Sequence, residues 1–510
     1  MRKNSVKRNR LKRAVALAAV LAFALLVSCA DDAGGGYAPT VAPELNGEQA
    51  PGEPGAADEP EAARVLPNLP EADFGGFSFR IITTDHIANA IMPQEIWAEA
   101  ETGAPINDAI FRRNRYVEEK FNVEIYEILH DRDSLNAPVI RAVLAGDDAY
   151  DLIASNIREL GIMGQRAVLH DLHTVNHIDL SKPWYDQNAA SDFSIANRLF
   201  WAVGDLQISS KDGTWSVLFN KKLHENLGLD DPYQLVRDGR WTMDRMFEMA
   251  AAANRDLDGD GIMTEADQWG MLGEEFNIFA LMNGAGMRLV QKDENDLPFY
   301  AGFTERDISV FEKAIDYLGD RNQSILPSHF AGRFADIWMD FINPMFATDR
   351  VLFFFTSLSR VTWHRDMETD FGILPVPKYD EQQENYVNTV SVWLAGGQGI
   401  PITLDGADLD RTAIIMEALN AASRYTLIPA YYDIQLSTQL VRDEESSEML
   451  DIIFANRVFS IEQLYDWGGI VSTITDLLAR NDRSFVSAME RIEPRIEREI
   501  ERTIDAFMEN

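Results

Sequence analysis

The densest chemical signal in this sequence is DLDGDGIMTEAD, residues 256–267. Carboxylates at its first, third and fifth positions and a glycine at the sixth are the spacing of a calcium-binding loop. In that reading Asp256, Asp258 and Asp260 supply hard oxygens, and Gly261 permits the sharp turn. Ile262 offers its carbonyl, Thr264 holds a water, and Asp267 closes the ring. Aspartate in place of the usual closing glutamate shortens the reach and weakens the expected site. Three carboxylates this close repel one another unless a cation lies between them. The expectation is a structural Ca ion; the alternative is a solvated acidic turn.

Sugar-stacking aromatics form the second group. Trp184-Tyr185, Trp363 and Trp467 sit in polar or turn-like surroundings, where a flat ring in a cleft can lie against the apolar face of a sugar. Asp85 and Asn156 each fall at the C-terminal end of an expected parallel strand, where open α/β sheets place ligands. Catalytic signatures are missing: there is no G-x-S-x-G, H-E-x-x-H, Walker or G-x-G-x-x-G motif. The one close histidine pair, His170 and His173, reads as a surface turn. The chain is therefore read as a non-enzyme.

These residues need a frame. FSFRIITT (77–84), NVEIYEIL (122–129) and YDLIASN (150–156) read as strands, separated by a helix opened by Pro105 and another over 137–146. Strand and helix alternating at this spacing predict parallel βαβ units. RLFWAVG (198–204), WSVLFN (215–220), DRVLFFFTS (349–357) and FGILPVP (371–377) also read as strands. Helices are expected at 241–254, capped by Thr242, and at about 304–320, and the chain beyond Leu409 is mainly helical.

The N-terminus carries seven basic residues within 1–13, then an apolar run from Ala14 to Val27. That describes a secretory signal, residues 1–28, too short to span a bilayer comfortably. Leu26-Val27-Ser28-Cys29 resembles a bacterial lipobox, so Cys29, the only cysteine, is the expected lipidation site. Residues 29–72 are rich in Gly, Pro, Ala and acids and read as a flexible leash, about 35 Å in r.m.s. reach. The protein is thus expected at the outer face of the cell membrane or in a periplasm, held by lipid alone. Its 510 residues carry 82 acidic against 46 basic side chains, a formal charge of −36, which argues against nucleic acid as a partner.

Several phrases together, among them ETGAPINDAIFRRNRYVEEKFNVEI (101–125), LFNKKLHENLGL (218–229), VRDGRWTMDRM (236–246) and FGILPVPKYDEQQENY (371–386), resemble the extracellular solute-binding lipoproteins of bacterial ABC importers, close to the sugar-binding family 1. The resemblance covers nearly all of 73–510. It implies a two-lobed α/β fold of the type II periplasmic-binding class, with a hinge. The expected lobes are 73–214 (with part of 350–400) and 215–349, with 400–510 a helical portion packing on both. It further implies a monomer that captures a small solute, a carbohydrate or oligosaccharide, and passes it to the permease. With no basic cluster in the sequence, a neutral sugar is expected. A surface-tethered glycan hydrolase and a ligand sensor are the alternatives.

Overall fold

The computed structural model describes residues 64–509 apart from 88–90 and 438–443; the signal, Cys29 and most of the leash lie outside the described residues. Two sheets organise the chain. The first begins with β1 (Phe77–Thr84), α1 (Pro105–Phe121), β2 (Val123–His130), α2 (Asn136–Ala145), β3 (Leu152–Asn156) and α3 (Ile157–Gln165). Pro105 starts α1 with its φ already set, and Asn122, at φ 51°, ends it in the left-handed region. Ile110, Val117 and Phe121 form the helix's buried face.

The second sheet is assembled from β4 (Trp215–Asn220), α4 (Met243–Ala253), β5 (Trp269–Leu272), α5 (Asn277–Gly284), a hairpin of β6 (Val290–Lys292) and β7 (Pro298–Tyr300), α6 (Glu305–Leu318), β8 (Ser324–Ile325), β9 (Val351–Ser357) and β10 (Phe371–Leu374). The Thr242 hydroxyl accepts from the Arg245 amide to cap α4. Thr304 and Asp307 form a reciprocal capping box on α6. β11 (Asn388–Thr389) and β12 (Gly396–Gly399) follow. The C-terminal portion holds α7 (Gly406–Arg424), α8 (Leu427–Ser437), α9 (Glu444–Ala455), β13 (Arg457–Val458), α10 (Ile470–Ala479) and α11 (Phe485–Glu509).

Both sheets follow one plan. In the first the order is β12-β3-β1-β2, with β1 parallel to β2 and β3, and β12 antiparallel at the edge. In the second it is β10-β4-β9-β5-β8, with β5 parallel to β8 and β9, and β4 antiparallel beside β9. Each antiparallel strand is the one the chain makes after crossing from the other sheet. The crossings at 205–214 and 375–395 lie side by side, joined by a Thr214–Val390 bridge and by Ser391 N–H donating to the Gly213 carbonyl at 2.8 Å.

Two sequence expectations are corrected. Residues 198–204 form no strand: Arg198, Ala202 and Gly204 make single bridges only, because the segment meets β12 at Gln398 and then turns into the first crossing. The second lobe does not stop at 349, since β9 and β10 pair in the second sheet; only β12, of the 350–400 stretch, joins the first.

The helix α11 ties the lobes together. Near its start Phe485 stacks on Phe311 of α6 at 4.5 Å, and near its end Phe507 meets Phe200 of the first lobe edge-on at 4.7 Å. Those 22 residues span roughly 33 Å of helix, and one continuous apolar core runs through both lobes along it.

Candidate functional site

Segments that follow the carboxyl end of β1 in one lobe and of β9 in the other face a common space. A cavity of about 280 Å³ lies there, lined from the first lobe by Met92, Gln94 and Asn107, and from the second by Ser359, Thr362 and Trp363; Asp212 and Tyr431 close its back. That is the small end of the range for ligand pockets, about 300–1,000 Å³.

The first-lobe wall is fixed by buried charge. Arg113, with no exposed surface, donates to the carbonyls of Glu95 (2.9 Å), Ile96 (2.6 Å) and Leu206 (3.1 Å). The Glu95 carboxylate accepts from the Ser209 amide at 3.0 Å, the Ser209 hydroxyl and the Gln207 amide. The cavity-lining loop around Met92 is thereby joined to the first crossing. Burial pushes the Arg113 guanidinium down to about 9 and the Glu95 carboxyl up.

Asn156 and Asp85 stand at the ends of β3 and β1, but neither lines the cavity. Asn156 is buried and its side chain is committed: its oxygen caps α3 through the Glu159 amide at 3.0 Å, and its nitrogen holds the Arg132 carbonyl at 3.2 Å. Asp85 is half-buried, its carboxylate accepting from the Ile87 amide at 2.9 Å and its amide donating to the His130 carbonyl. Asn156 thus positions Arg132 at the end of β2.

In the second lobe the residues after β9 carry the aromatic wall. The Arg360 guanidinium lies between two indoles, 4.6 Å from the Trp363 ring centre and 4.8 Å from that of Trp338. His364, beneath it, packs edge-on to Phe346 and Phe354. Burial, with help from Arg360, pushes His364 down to about 4, so it stays neutral. At the end of β5 burial lifts Glu274 to about 7, against the pull of Arg360. Next to it Phe276 meets Trp393 of the second crossing at 4.5 Å, and Arg158 lies 5.9 Å from that indole.

The remaining sequence candidates do not reach this cleft. Trp184 is a core residue of the first lobe, and Tyr185 is buried with its hydroxyl donating to Glu417 at 2.8 Å. Trp467 is buried in a turn, stacked on Tyr465 at 4.8 Å, its N–H donating to Thr503 at 2.8 Å. It borders a separate recess of about 470 Å³ with Gln165 and Arg166 at the far end of α3. Of the four aromatics named from sequence, Trp363 alone lines the cleft. Arg132, Arg158, Glu274, Trp338, Arg360 and Trp393 escaped the sequence reading. Applying the strand-end rule to β5 and β9, as to β1 and β3, would have found Glu274 and Arg360.

The acidic loop lies outside the cleft, between α4 and β5. Asp256, Asp258 and Asp260 each bring an oxygen to within 4.8 Å of the other two. The Asp256 carboxylate accepts from the amides of Gly259 (2.6 Å) and Gly261 (2.7 Å), holding the sharp turn. The Asp260 amide pulls the Asp258 carboxyl down, but desolvation and the neighbouring carboxylates together raise it. Asp267 turns inward and is fully buried, accepting from the amides of Leu257 (2.8 Å) and Thr264 (2.7 Å). Ile262 stands exposed at the rim.

No protein-family model matches the chain, and no curated protein does. Solved structures do. UspC of M. tuberculosis superposes with a TM-score of 0.54 at 12% identity, over 83% of this chain and all of that one. An ABC substrate-binding protein of Listeria monocytogenes in complex with cycloalternan gives 0.53 at 12%, over 83% and 98%. An ABC transporter solute-binding protein of Thermotoga lettingae bound with α-D-tagatose gives 0.51 at 14%, over 84% and 100%. The fold is therefore the two-lobed α/β architecture of the type II solute-binding proteins. No helix among the described residues is long and apolar enough to cross a membrane.

Proposed function

We propose that this protein captures a carbohydrate in the interlobe cleft and hands it, unaltered, to the permease of an ABC importer. The supporting observation is the cleft itself: segments that follow strand ends of two similarly wired sheets face a cavity walled by Trp363, and the lobes are joined by side-by-side crossings. Such crossings act as a hinge, and the ligand favours the closed form by binding it better than the open one. The bound sugars of the Listeria and Thermotoga structures support the same reading. The protein acts as a monomer at the outer face of the membrane or in a periplasm, tethered through a lipid on Cys29 and the leash that follows.

The loop at 256–267 serves as a calcium clip. Its donor set is hard oxygen, and Asp256, Asp258 and Asp260 would hold the ion while the inward Asp267 braces the loop. A cation there relieves the repulsion among the three carboxylates and fastens the exit of α4 to β5.

Incubation with a panel of oligosaccharides, followed by calorimetry and product analysis, tests the main reading. Stoichiometric binding without products supports it. Turnover would instead make the protein a tethered glycan hydrolase, and a neighbouring kinase gene in place of a permease gene would make it a sensor.

A further inference from the structure

We infer that the sugar this cleft selects carries a carboxylate, an acidic saccharide such as a uronate oligomer, held by Arg360 where it is clamped between Trp338 and Trp363. The inference rests on the carbohydrate reading above and departs from the neutral sugar that composition suggests.

Arg360 is 6% exposed, and its guanidinium has five N–H donors. Among the described residues it has no hydrogen-bond or ion-pair partner, and its guanidinium lies against two indole faces. Buried arginines are normally paired, because the indoles offset only part of the lost hydration. Arg113 in the same protein shows the ordinary outcome, with its donors spent on carbonyls. Stacking between Trp338 and Trp363 fixes the plane of the Arg360 guanidinium and leaves its donor edge to meet a carboxylate in two parallel hydrogen bonds.

The nearby acids are spent elsewhere. Asp336 accepts from the amides of Trp338 (2.9 Å) and Met339 (3.1 Å). Glu275 accepts from the Ser328 amide at 2.9 Å, and Asp133 pairs with Arg132 at 2.8 Å. Glu274 is felt by Arg360 without reaching ion-pair distance. Arg132 of the opposite lobe lies within electrostatic reach of Arg360, but its own charge is paired with both oxygens of Asp133, and Glu274 and Asp336 pull the other way without bonding. In a chain of formal charge −36, a buried guanidinium is thus left without an ion-pair partner beside Trp363, which lines the cavity. A carboxylate on the bound sugar supplies the partner that Arg360 lacks.

The test uses the full chain with tri-galacturonate, its methyl ester, and a neutral trisaccharide as probes, read by calorimetry at low and high salt. The expected result is binding of the acid form that weakens with salt, with the ester at least about tenfold weaker. Arg360→Gln is expected to lose about tenfold or more for the acid form. Because Arg360 is buried, Arg360→Lys provides a second variant that keeps the charge but not the two-pronged donor edge, and it is expected to bind the acid form more weakly than the wild type while still preferring it to the ester. Equal or tighter binding of the ester or the neutral sugar overturns the inference and leaves the carbohydrate reading standing. Binding of no saccharide in any arm overturns both, and binding of simple carboxylates such as citrate in their place points to an organic acid.

Discussion

The centre of the Trp363 ring lies 4.6 Å from the Arg360 guanidinium, three residues earlier in the turn that follows β9. The spacing sets both side chains on one side of the turn. One face of the indole is thus committed to a cation, while the residue lines the cavity between the lobes. Trp363→Ala removes a stacking surface and half of the clamp on Arg360. Stacking contributes about 1–1.5 kcal/mol and the cation contact a similar amount, so sugar affinity should fall roughly ten- to hundredfold by calorimetry. Because the ring is only half-buried, the melting temperature should move little; a large drop with unchanged affinity would make Trp363 a core residue.

Calcium should raise the melting temperature of the purified protein, and a chelator should reverse the rise. Asp258→Ala combined with Asp260→Ala removes two of the three convergent carboxylates while leaving the Asp256 turn and the buried Asp267 in place. The calcium-dependent rise should vanish in that variant, with the melting temperature in chelator nearly unchanged or higher. A rise of undiminished size would put the ion elsewhere.

Gly270 of β5 lies against α4, and a β-carbon there would come 1.8 Å from the Ala250 carbonyl oxygen. The clash is with helix backbone, so no rotamer change relieves it. Gly270→Ala should force α4 away from the sheet and cost at least about 1–3 kcal/mol by urea unfolding. An unchanged midpoint would contradict the close helix–strand contact described for the second lobe.

Legibility divided along physical lines. Elements whose pattern is local read well from sequence: the β-branched and aromatic run of β1, the alternation of β2, the proline opening α1 and the threonine capping α4 all depend on near neighbours. Residues 198–204 misled because aromatic and β-branched residues fill a buried, irregular crossing as readily as a strand. The site was the least legible part. Trp184 and Trp363 look alike in sequence, each beside a second ring in polar surroundings, yet one is packed under α7 while the other faces the cleft. What separates them is the pairing of β9 beside β5, a contact between strands about 80 residues apart. Arg360 and the two indoles that clamp it are likewise set apart in sequence, Trp338 coming before β9 and Trp363 after it.

Asp212 gives a test of the cavity's back wall through pH. Burial pushes its carboxyl up to about 7; the Tyr431 hydroxyl, at 2.9 Å, pulls the other way, and Glu95 adds to the rise. In the unfolded chain the group titrates near its ordinary value, about 3.9. Between those two values the folded state holds a proton that the unfolded state has released. The group's contribution is therefore fully present below about pH 4 and is lost as pH rises toward 7. Linkage sets the slope at no more than roughly 1.4 kcal/mol per pH unit, and less where solvent reaches the carboxyl. Asp212→Asn keeps the shape and an acceptor for Tyr431 but cannot ionise. Its stability by urea unfolding should gain on the wild type from pH 5 to pH 7.5, then run parallel above that. Parallel curves from pH 5 upward would mean that Asp212 is ionised in the folded protein throughout, and that solvent reaches the back of the cavity more freely than its contacts with Tyr431 and the first crossing indicate.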